Sequence, residues 1–168
     1  MLFRSKSDAY AVLVVADTHM GKYCWGEGTG HDNYDLAIAA ARVTSASTQL
    51  LETCAAQKPA RVLVAYLGDL FHADTPGLTT TGGTPLAGST DGRLQKMIEV
   101  GCDSLLAIVE RASAIAPTDA LVVNGNHDET LSWAFQRILL ERFRRDGRVS
   151  VSQAYTGRSE EHTSELQS

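Results

Sequence analysis

The chain has 168 residues, 43% of them hydrophobic, and its 15 Lys or Arg and 20 Asp or Glu residues give a formal net charge of −5. This length and apolar content suit one globular domain with its own core and exclude a disordered chain, while the acidic balance argues against a large basic face. No apolar stretch approaches the ~20 residues that a membrane-spanning helix needs, so we expect a cytoplasmic protein with no membrane partner.

Predicted strands and helices alternate along the chain. Four apolar segments predict strands: Ala9 to Ala16, Arg61 to Leu67, Asp119 to Val123 and Val149 to Val151. Three segments with apolar residues near helical spacing predict helices: Tyr34 to Gln57, Gly92 to Ile115 and about Leu131 to Arg145. Asp91 precedes the second helix and is its expected N-cap. The alternation predicts an α/β fold with a mainly parallel sheet and helical crossovers, and the first three apolar runs suit strands covered on both faces.

A short motif of acidic, histidine or amide residues directly follows each of the first three strands. These motifs are Asp17-Thr18-His19, Gly68-Asp69-Leu70-Phe71-His72 and Gly125-Asn126-His127-Asp128. Open α/β sheets place their ligands at strand ends, so we expect the three motifs to meet. Carboxylate oxygens and imidazole nitrogens together suit manganese, iron or zinc better than calcium. The sequence therefore predicts half of a two-metal phosphoesterase site.

Each motif alone is a weak signal. An isolated Asp-x-His occurs on protein surfaces by chance, and Gly-Asp or Gly-Asn-His-Asp after a strand is ordinary turn chemistry. Three such motifs in this order, each at a strand end and separated by helical crossovers, are difficult to assign to coincidence.

Phosphate-ester hydrolysis predicts a role for each metal-binding candidate. Two metal ions about 3.5 to 4 Å apart can neutralise phosphoryl oxygens, generate hydroxide and stabilise the leaving oxygen. Asp17 and His19 are candidate ligands of one ion, and Asp69 is the candidate bridging carboxylate. Asn126 is the candidate ligand of the second ion.

The third motif also supplies a candidate acid. We expect His127 to protonate the leaving group or contact the phosphate, with Asp128 orienting its ring and favouring the imidazolium. Gly68 and Gly125 give the backbone room for tight turns beside these residues.

Two loops border the predicted site. Gly21 to Asn33 lies where substrate would enter, and Lys22 and His31 are its candidate substrate-binding residues. The alternative is that its aromatic residues Tyr23 and Trp25 only cover the sheet edge.

The second loop, Ala73 to Asp91, is rich in Thr, Gly and Pro and has no periodicity. Loops of this length in compact domains are usually functional or disordered. Because it follows the second motif, we expect a substrate-facing lid or an oligomer contact.

The order of the motifs resembles that of the calcineurin-like metallophosphoesterase superfamily, D-x-H, G-D and G-N-H-D/E, from Ala9 to about Val151. The resemblance implies the N-terminal half of a four-layer α/β/β/α sandwich. It also implies two divalent metal ions, Mn²⁺ first, with Fe or Zn as the other candidates.

The resemblance also extends to individual residues. It implies that Asp17, His19 and Asp69 bind one ion, that Asp69 and Asn126 bind the other, and that His127 is the proton donor.

Within the superfamily, the motifs look most like the exonuclease subunit of double-strand-break repair complexes and its phage-encoded relatives. This implies cleavage of DNA phosphodiester bonds by an exonuclease or endonuclease, a catalytic or phosphate-contacting role for His72, an ATPase partner subunit and a homodimer. Five arginines around the third helix offer phosphate contacts, although a solvated helical face is the commoner reason for such a run: Arg137, Arg142, Arg144, Arg145 and Arg148.

Two alternative functions stay open. One is a nucleotide or phosphoprotein phosphatase of the same superfamily. The other is a binding or structural module that keeps the fold with an incomplete metal site.

The last segment, Arg158 to Ser168, continues no upstream pattern and, written as codons, resembles a sequencing-library adapter. We therefore expect residues 1–157 to be a partial phosphoesterase domain and residues 158–168 to be non-native. Without that segment the chain has 14 basic and 17 acidic residues and a net charge of −3. The superfamily completes its site with a lone histidine and a Gly-His-x-His further downstream. We expect this fragment to bind metal weakly, to be inactive or weakly active, and to leave an apolar face uncovered.

Overall fold

The computed structural model of the chain describes residues 9–30 and 32–152. Four parallel strands form one sheet in the order β1-β2-β3-β4: β1 Tyr10–Val15, β2 Arg61–Leu67, β3 Thr118–Val123 and β4 Val149–Val151. Four α-helices lie between the strands: α1 Gly26–Thr29, α2 Leu36–Gln57, α3 Leu94–Ile115 and α4 Glu129–Arg142. The predicted α/β fold with a parallel sheet is confirmed. No helix in the described ranges is long and apolar enough to cross a bilayer.

One face of the sheet is buried against the helices. Val62, Val64 and Tyr66 alternate along β2 and are 0% exposed. The Tyr66 hydroxyl donates to the carbonyl of Leu105 on α3 at 2.7 Å, which satisfies a polar group that burial would otherwise destabilise. Sequential strand order with right-handed crossovers places successive helices on the same face, so the core forms there.

The other face is open within the described residues. Tyr10, Val12 and Val14 alternate with the buried positions of β1 and are 66%, 60% and 52% exposed. The prediction that the strands are covered on both faces is therefore wrong for β1 within the described residues, and the predicted uncovered apolar face is confirmed at this strand. An apolar side chain of this size forgoes about 1.5–3 kcal/mol when it stays in water.

Two helix starts differ from the sequence prediction. The N-cap of α3 is Arg93 rather than Asp91, because the Asp91 carboxylate instead accepts locally from the Arg93 amide, at 3.1 Å. α4 begins at Glu129, two residues before the predicted start at Leu131, and ends earlier as well. A distant carboxylate, described below, stabilises that early start.

Candidate metal centre

The first two motifs lie side by side because main-chain hydrogen bonds continue the β1–β2 pairing beyond the strand ends. The amides of Asp17 and His19 donate to the carbonyls of Gly68 and Asp69, at 3.2 and 2.9 Å. Further bonds of this kind continue as far as His72. The relative position of the two motifs is thus determined by the sheet.

Three predicted metal ligands have left-handed backbone. The φ angles of Asp17, His19 and Asp69 are 51°, 41° and 49°. This region costs roughly 1–2 kcal/mol for a residue with a β-carbon, and such outliers concentrate at functional sites. The strain at three adjacent candidate ligands points to this strand end as the functional part of the molecule.

Two glycines allow the second and third motifs to touch. Gly68 has φ of 81°, and a β-carbon on it would lie 2.9 Å from the α-carbon of Gly125. A β-carbon on Gly125 would overlap the amide and carboxylate of Asp69. The predicted tight turn at Gly68 is confirmed, and Gly125 is required by close approach.

The motifs bring together two groups of side chains that can hold a metal ion. One group is Asp17, His19 and Asp69, and the other is His19, His72 and His127; in each, the ligand atoms lie within 4.8 Å of one another. The first group contains three of the four predicted metal ligands. Its mixture of carboxylate oxygens and an imidazole nitrogen fits a divalent transition metal.

Asn126, the fourth predicted ligand, lines a cavity with Thr80, Thr81 and Glu129. This cavity lies between the third motif and the long loop that follows β2. The role of Asn126 as a ligand of a second ion stays a prediction.

His127 is fixed through both its backbone and its ring. Its amide donates to Asp69 Oδ1 at 2.9 Å, and its ring Nδ1 lies 2.8 Å from the carbonyl oxygen of His72. Because a carbonyl can only accept, Nδ1 carries the proton of this hydrogen bond. The His72 and His127 rings stack with centroids 5.3 Å apart.

Asp128 does not orient that ring, and the prediction that it does is wrong. Its carboxylate is fully buried and accepts from the amides of Phe71 and Gly125, at 2.9 and 3.2 Å, and from the Ser132 hydroxyl at 2.8 Å. Burial raises the pKa of Asp128, and the hydrogen bonds from Phe71 and Ser132 oppose the rise. Asp128 therefore joins the second motif, the third motif and α4.

Burial lowers the pKa of two site histidines, His72 and His19, which favours their neutral forms. Desolvation lowers the pKa of His72 to about 4, and the neighbouring His19 and His127 rings lower it further. Desolvation, followed by His127, also lowers the pKa of His19, although Asp69 and Asp17 oppose this. Neutral imidazoles offer lone pairs, which is the state that metal binding requires.

A cavity of about 500 Å³ opens beside the carboxylate group. Asp17, His19 and Lys22 line it together, so the structure places Lys22 where substrate binding was predicted. His31, the other predicted substrate-binding residue, lies outside the described residues.

Sequence patterns missed two residues of this cavity, Tyr34 and Arg42. The Tyr34 hydroxyl donates to the carbonyl of Thr18 at 2.9 Å, and the Arg42 guanidinium lies 5.5 Å from the centre of the Tyr34 ring. Arg42 also pairs with Asp32 at 3.8 Å. Both are ordinary polar or aromatic positions along the sequence, and only the packing of α2 against the first motif brings them to the site.

The loop Ala73 to Asp91 is docked on α4 through a buried carboxylate. Asp74 is 7% exposed and accepts from the amides of Thr130 and Leu131, at 3.1 and 2.8 Å. It thus caps a helix that begins 55 residues later in the chain, which explains the early start of α4. The loop closes over the second motif as well, since Ser89 Oγ lies 3.1 Å from His72 Nε2.

The aromatic residues of the first loop are about half exposed, Tyr23 at 51% and Trp25 at 56%. The alternative that these rings cover the sheet edge stays a prediction.

Two of the arginines around α4, Arg142 and Arg144, lie at the end of the helix that is away from the site. The helix begins beside the third motif and rises about 1.5 Å per residue, which puts Arg142 about 20 Å further along it. Arg142 also pairs with Glu110 on α3 at 2.5 Å, and Arg144 with Glu141 at 3.8 Å. These contacts favour a solvated helical face over substrate binding at this site.

No protein-family model matches the sequence, and no curated protein is significantly similar to it.

Proposed function

We propose that this chain carries the metal-binding half of a calcineurin-like phosphoesterase that hydrolyses DNA phosphodiester bonds. One observation carries the proposal. Asp17, His19 and Asp69 converge within 4.8 Å, each on left-handed backbone, at the carboxyl ends of two parallel strands. Ligands of this chemistry at this place in an α/β sheet favour a hydrolytic metal site over a structural one.

In this proposal, Asp17, His19 and Asp69 hold one divalent ion, and Asp69 and Asn126 hold a second. Asp69 suits the bridging role because His127 N occupies only its Oδ1, which leaves its other oxygen for coordination. Mn²⁺ is the first candidate for these two ions, with Fe next. Bound ions of this kind neutralise phosphoryl oxygens and make hydroxide available near neutral pH.

His127 acts as the proton donor to the leaving oxygen. The carbonyl of His72 accepts from its Nδ1, so Nε2 is the ring atom that can exchange a proton with substrate. His72 contacts the phosphate beside it. Asp128 acts only by positioning this segment, through the amides that its carboxylate accepts from.

The cations of the site support a phosphorylated substrate. Lys22 and Arg42 line the same cavity as Asp17 and His19, so positive side chains flank the candidate ligands. The cavity is open to solvent, as a polymeric substrate requires. An ATPase partner and a homodimer remain predictions from the resemblance.

Metal binding by the chain is the first test. Calorimetric titration should detect Mn²⁺ binding at the carboxylate site of Asp17, His19 and Asp69, and Asp17→Asn should abolish it. Asp103→Asn is the matched control, because Asp103 is exposed on α3, and it should bind as the wild type does. Equal Mn²⁺ affinity in the wild type and the two variants would show that the carboxylate site does not bind the metal.

The test of the substrate begins with the parent gene. Sequencing beyond the codon for Gly157 shows whether the gene encodes a lone histidine and a Gly-His-x-His downstream. The extended protein should then cleave linear duplex DNA and bis-(p-nitrophenyl) phosphate with Mn²⁺. Hydrolysis of monoesters alone would indicate a phosphatase, and Mn²⁺ binding without hydrolysis would indicate a binding module.

A further inference from the structure

The second group of candidate ligands consists only of imidazoles. The ring centroids of His19, His72 and His127 lie 4.8 to 5.3 Å apart. We propose that these three histidines form a separate site for one Zn²⁺ ion, and that this site and the carboxylate site exclude one another because they share His19.

Two of the rings are held in the tautomer of a metal ligand. His127 Nδ1 donates to the carbonyl of His72 at 2.8 Å, so the lone pair of the neutral ring is on Nε2. Ser89 Oγ donates to the carbonyl of Leu86 at 3.2 Å, so it accepts from His72 Nε2 at 3.1 Å. The lone pair of His72 is then on Nδ1. Metal-binding histidines usually donate their other ring N–H to a protein acceptor in this way.

The distance between two of the nitrogens fits tetrahedral zinc. His72 Nδ1 lies 3.3 Å from His19 Nδ1. Zn–N bonds of about 2.0–2.1 Å at a tetrahedral angle put two nitrogens of one ion about 3.3 Å apart. An all-imidazole set suits zinc, whereas carboxylates suit manganese.

His19 faces the two sites with opposite nitrogens. Its Nδ1 points to His72, and its Nε2 lies 4.0 Å from Asp17 Oδ1. A neutral imidazole has one lone pair. An ion bound through Nε2 beside the carboxylates makes Nδ1 a donor to His72, and an ion bound through Nδ1 removes the lone pair from Nε2. An ion bound at either site therefore prevents His19 from binding an ion at the other.

One consequence rests on the proposed function. Zn²⁺ on the histidines withdraws His72 and His127 from phosphate and proton transfer, so zinc should inhibit the reaction that Mn²⁺ supports. The zinc site itself does not depend on that function.

The test is direct binding of Zn²⁺ and Co²⁺ to the full chain, without substrate. X-ray absorption of the zinc-loaded protein should show three imidazole ligands, and Co²⁺ should give the visible bands of a tetrahedral site. His72→Ala and His127→Ala should each weaken Zn²⁺ binding by on the order of 100-fold, and Ser89→Ala by roughly 10–100-fold, since second-shell losses have this size. Asp17→Asn should leave Zn²⁺ binding unchanged and abolish Mn²⁺ binding. Bound Zn²⁺ should also abolish the heat of Mn²⁺ titration.

Several results would overturn the zinc site. If X-ray absorption of the wild-type protein shows only one imidazole bound to zinc, the site is ruled out. Equal loss of Zn²⁺ binding in Asp17→Asn and His127→Ala would also rule it out. Simultaneous binding of both ions would overturn the exclusion. Because no readout contains substrate, failure here leaves the phosphoesterase proposal standing, and failure to hydrolyse DNA leaves the zinc site standing.

Discussion

The two sides of the candidate metal centre are held in different ways. On one side, the first and second motifs are joined by main-chain hydrogen bonds that continue a parallel strand pair, such as His19 N to the Asp69 carbonyl at 2.9 Å. On the other side, the third motif and the long loop are held by two buried carboxylates, Asp128 and Asp74. A site can thus combine a side that the sheet determines with a side that depends on a few side chains.

This difference has an energetic meaning. Losing one main-chain bond from a strand pair costs about 0.5–1.5 kcal/mol, whereas removing a buried carboxylate leaves several donors without a partner, at about 1–3 kcal/mol for each donor that water cannot reach. The third motif and the loop should therefore be the side that mutations disrupt most easily.

Asp128→Ala should have the largest effect on stability. It leaves the amides of Phe71 and Gly125 and the Ser132 hydroxyl without an acceptor. We expect a loss of about 3–5 kcal/mol, because each buried donor left unpaired costs about 1–3 kcal/mol. Urea unfolding measures it, with the exposed Asp103→Ala as the control. Similar midpoints for the two variants would contradict the role given to Asp128.

Gly125→Ala should have the second largest effect on stability, because it disrupts the contact between the two sides of the metal centre. The new methyl group overlaps the amide and carboxylate of Asp69, and overpacking of this kind costs about 1–3 kcal/mol. It should also weaken Mn²⁺ binding by displacing Asp69. Gly147→Ala is the matched control, since nothing lies within 4 Å of a β-carbon there, and it should change neither quantity.

Asp74→Ala should have a moderate effect confined to the loop and the start of α4. The amides of Thr130 and Leu131 lose their cap, which costs about 0.5–2 kcal/mol. Hydrogen exchange should become faster at these two amides and across the loop, while the amides of Asp17 and His19 keep their protection. Faster exchange on both sides would show that the two sides are not independent.

Ser89→Ala should have the smallest effect on stability, about 0.5–1.5 kcal/mol, because only His72 Nε2 loses its sole acceptor. The Leu86 carbonyl loses the hydroxyl as well but still accepts from Ser89 N and Thr90 Oγ1. Its target is the tautomer of His72, because the ring Nε2 loses its acceptor. Nitrogen chemical shifts of the His72 ring should show the tautomer mixture change. An unchanged ring spectrum would mean that Ser89 does not select the tautomer.

The sequence predicted the side of the site that the sheet determines. β2 and β4 have the predicted bounds, and Asp17, His19 and Asp69 meet because the carboxyl ends of neighbouring parallel strands have to meet. Alternating apolar residues and short motifs are local signals. They suffice here because main-chain pairing of the strands then determines how the motifs lie relative to one another.

The predictions from the sequence were wrong or incomplete where contacts between residues distant in the chain determine the structure. Asp128 was expected to face His127, the residue before it, but its partners include Phe71, 57 positions earlier. Asp74 sets the start of a helix that it does not belong to, and Arg42 reaches the site only through the packing of α2. No periodicity or spacing along the chain records such contacts.

The outer strand β1, whose side chains on one face are exposed, has a consequence for how the protein behaves in concentrated solution. β1 is an outer strand of the described sheet, and its six residues, Tyr-Ala-Val-Leu-Val-Val, carry no charge and no proline. Outer strands of natural sheets usually contain a lysine, a proline or a bulge that prevents another chain from pairing with them. Segments of six or seven residues with this composition also form fibrillar cross-β stacks. Replacing Val12 by lysine would add the missing protection at a side chain that already faces water.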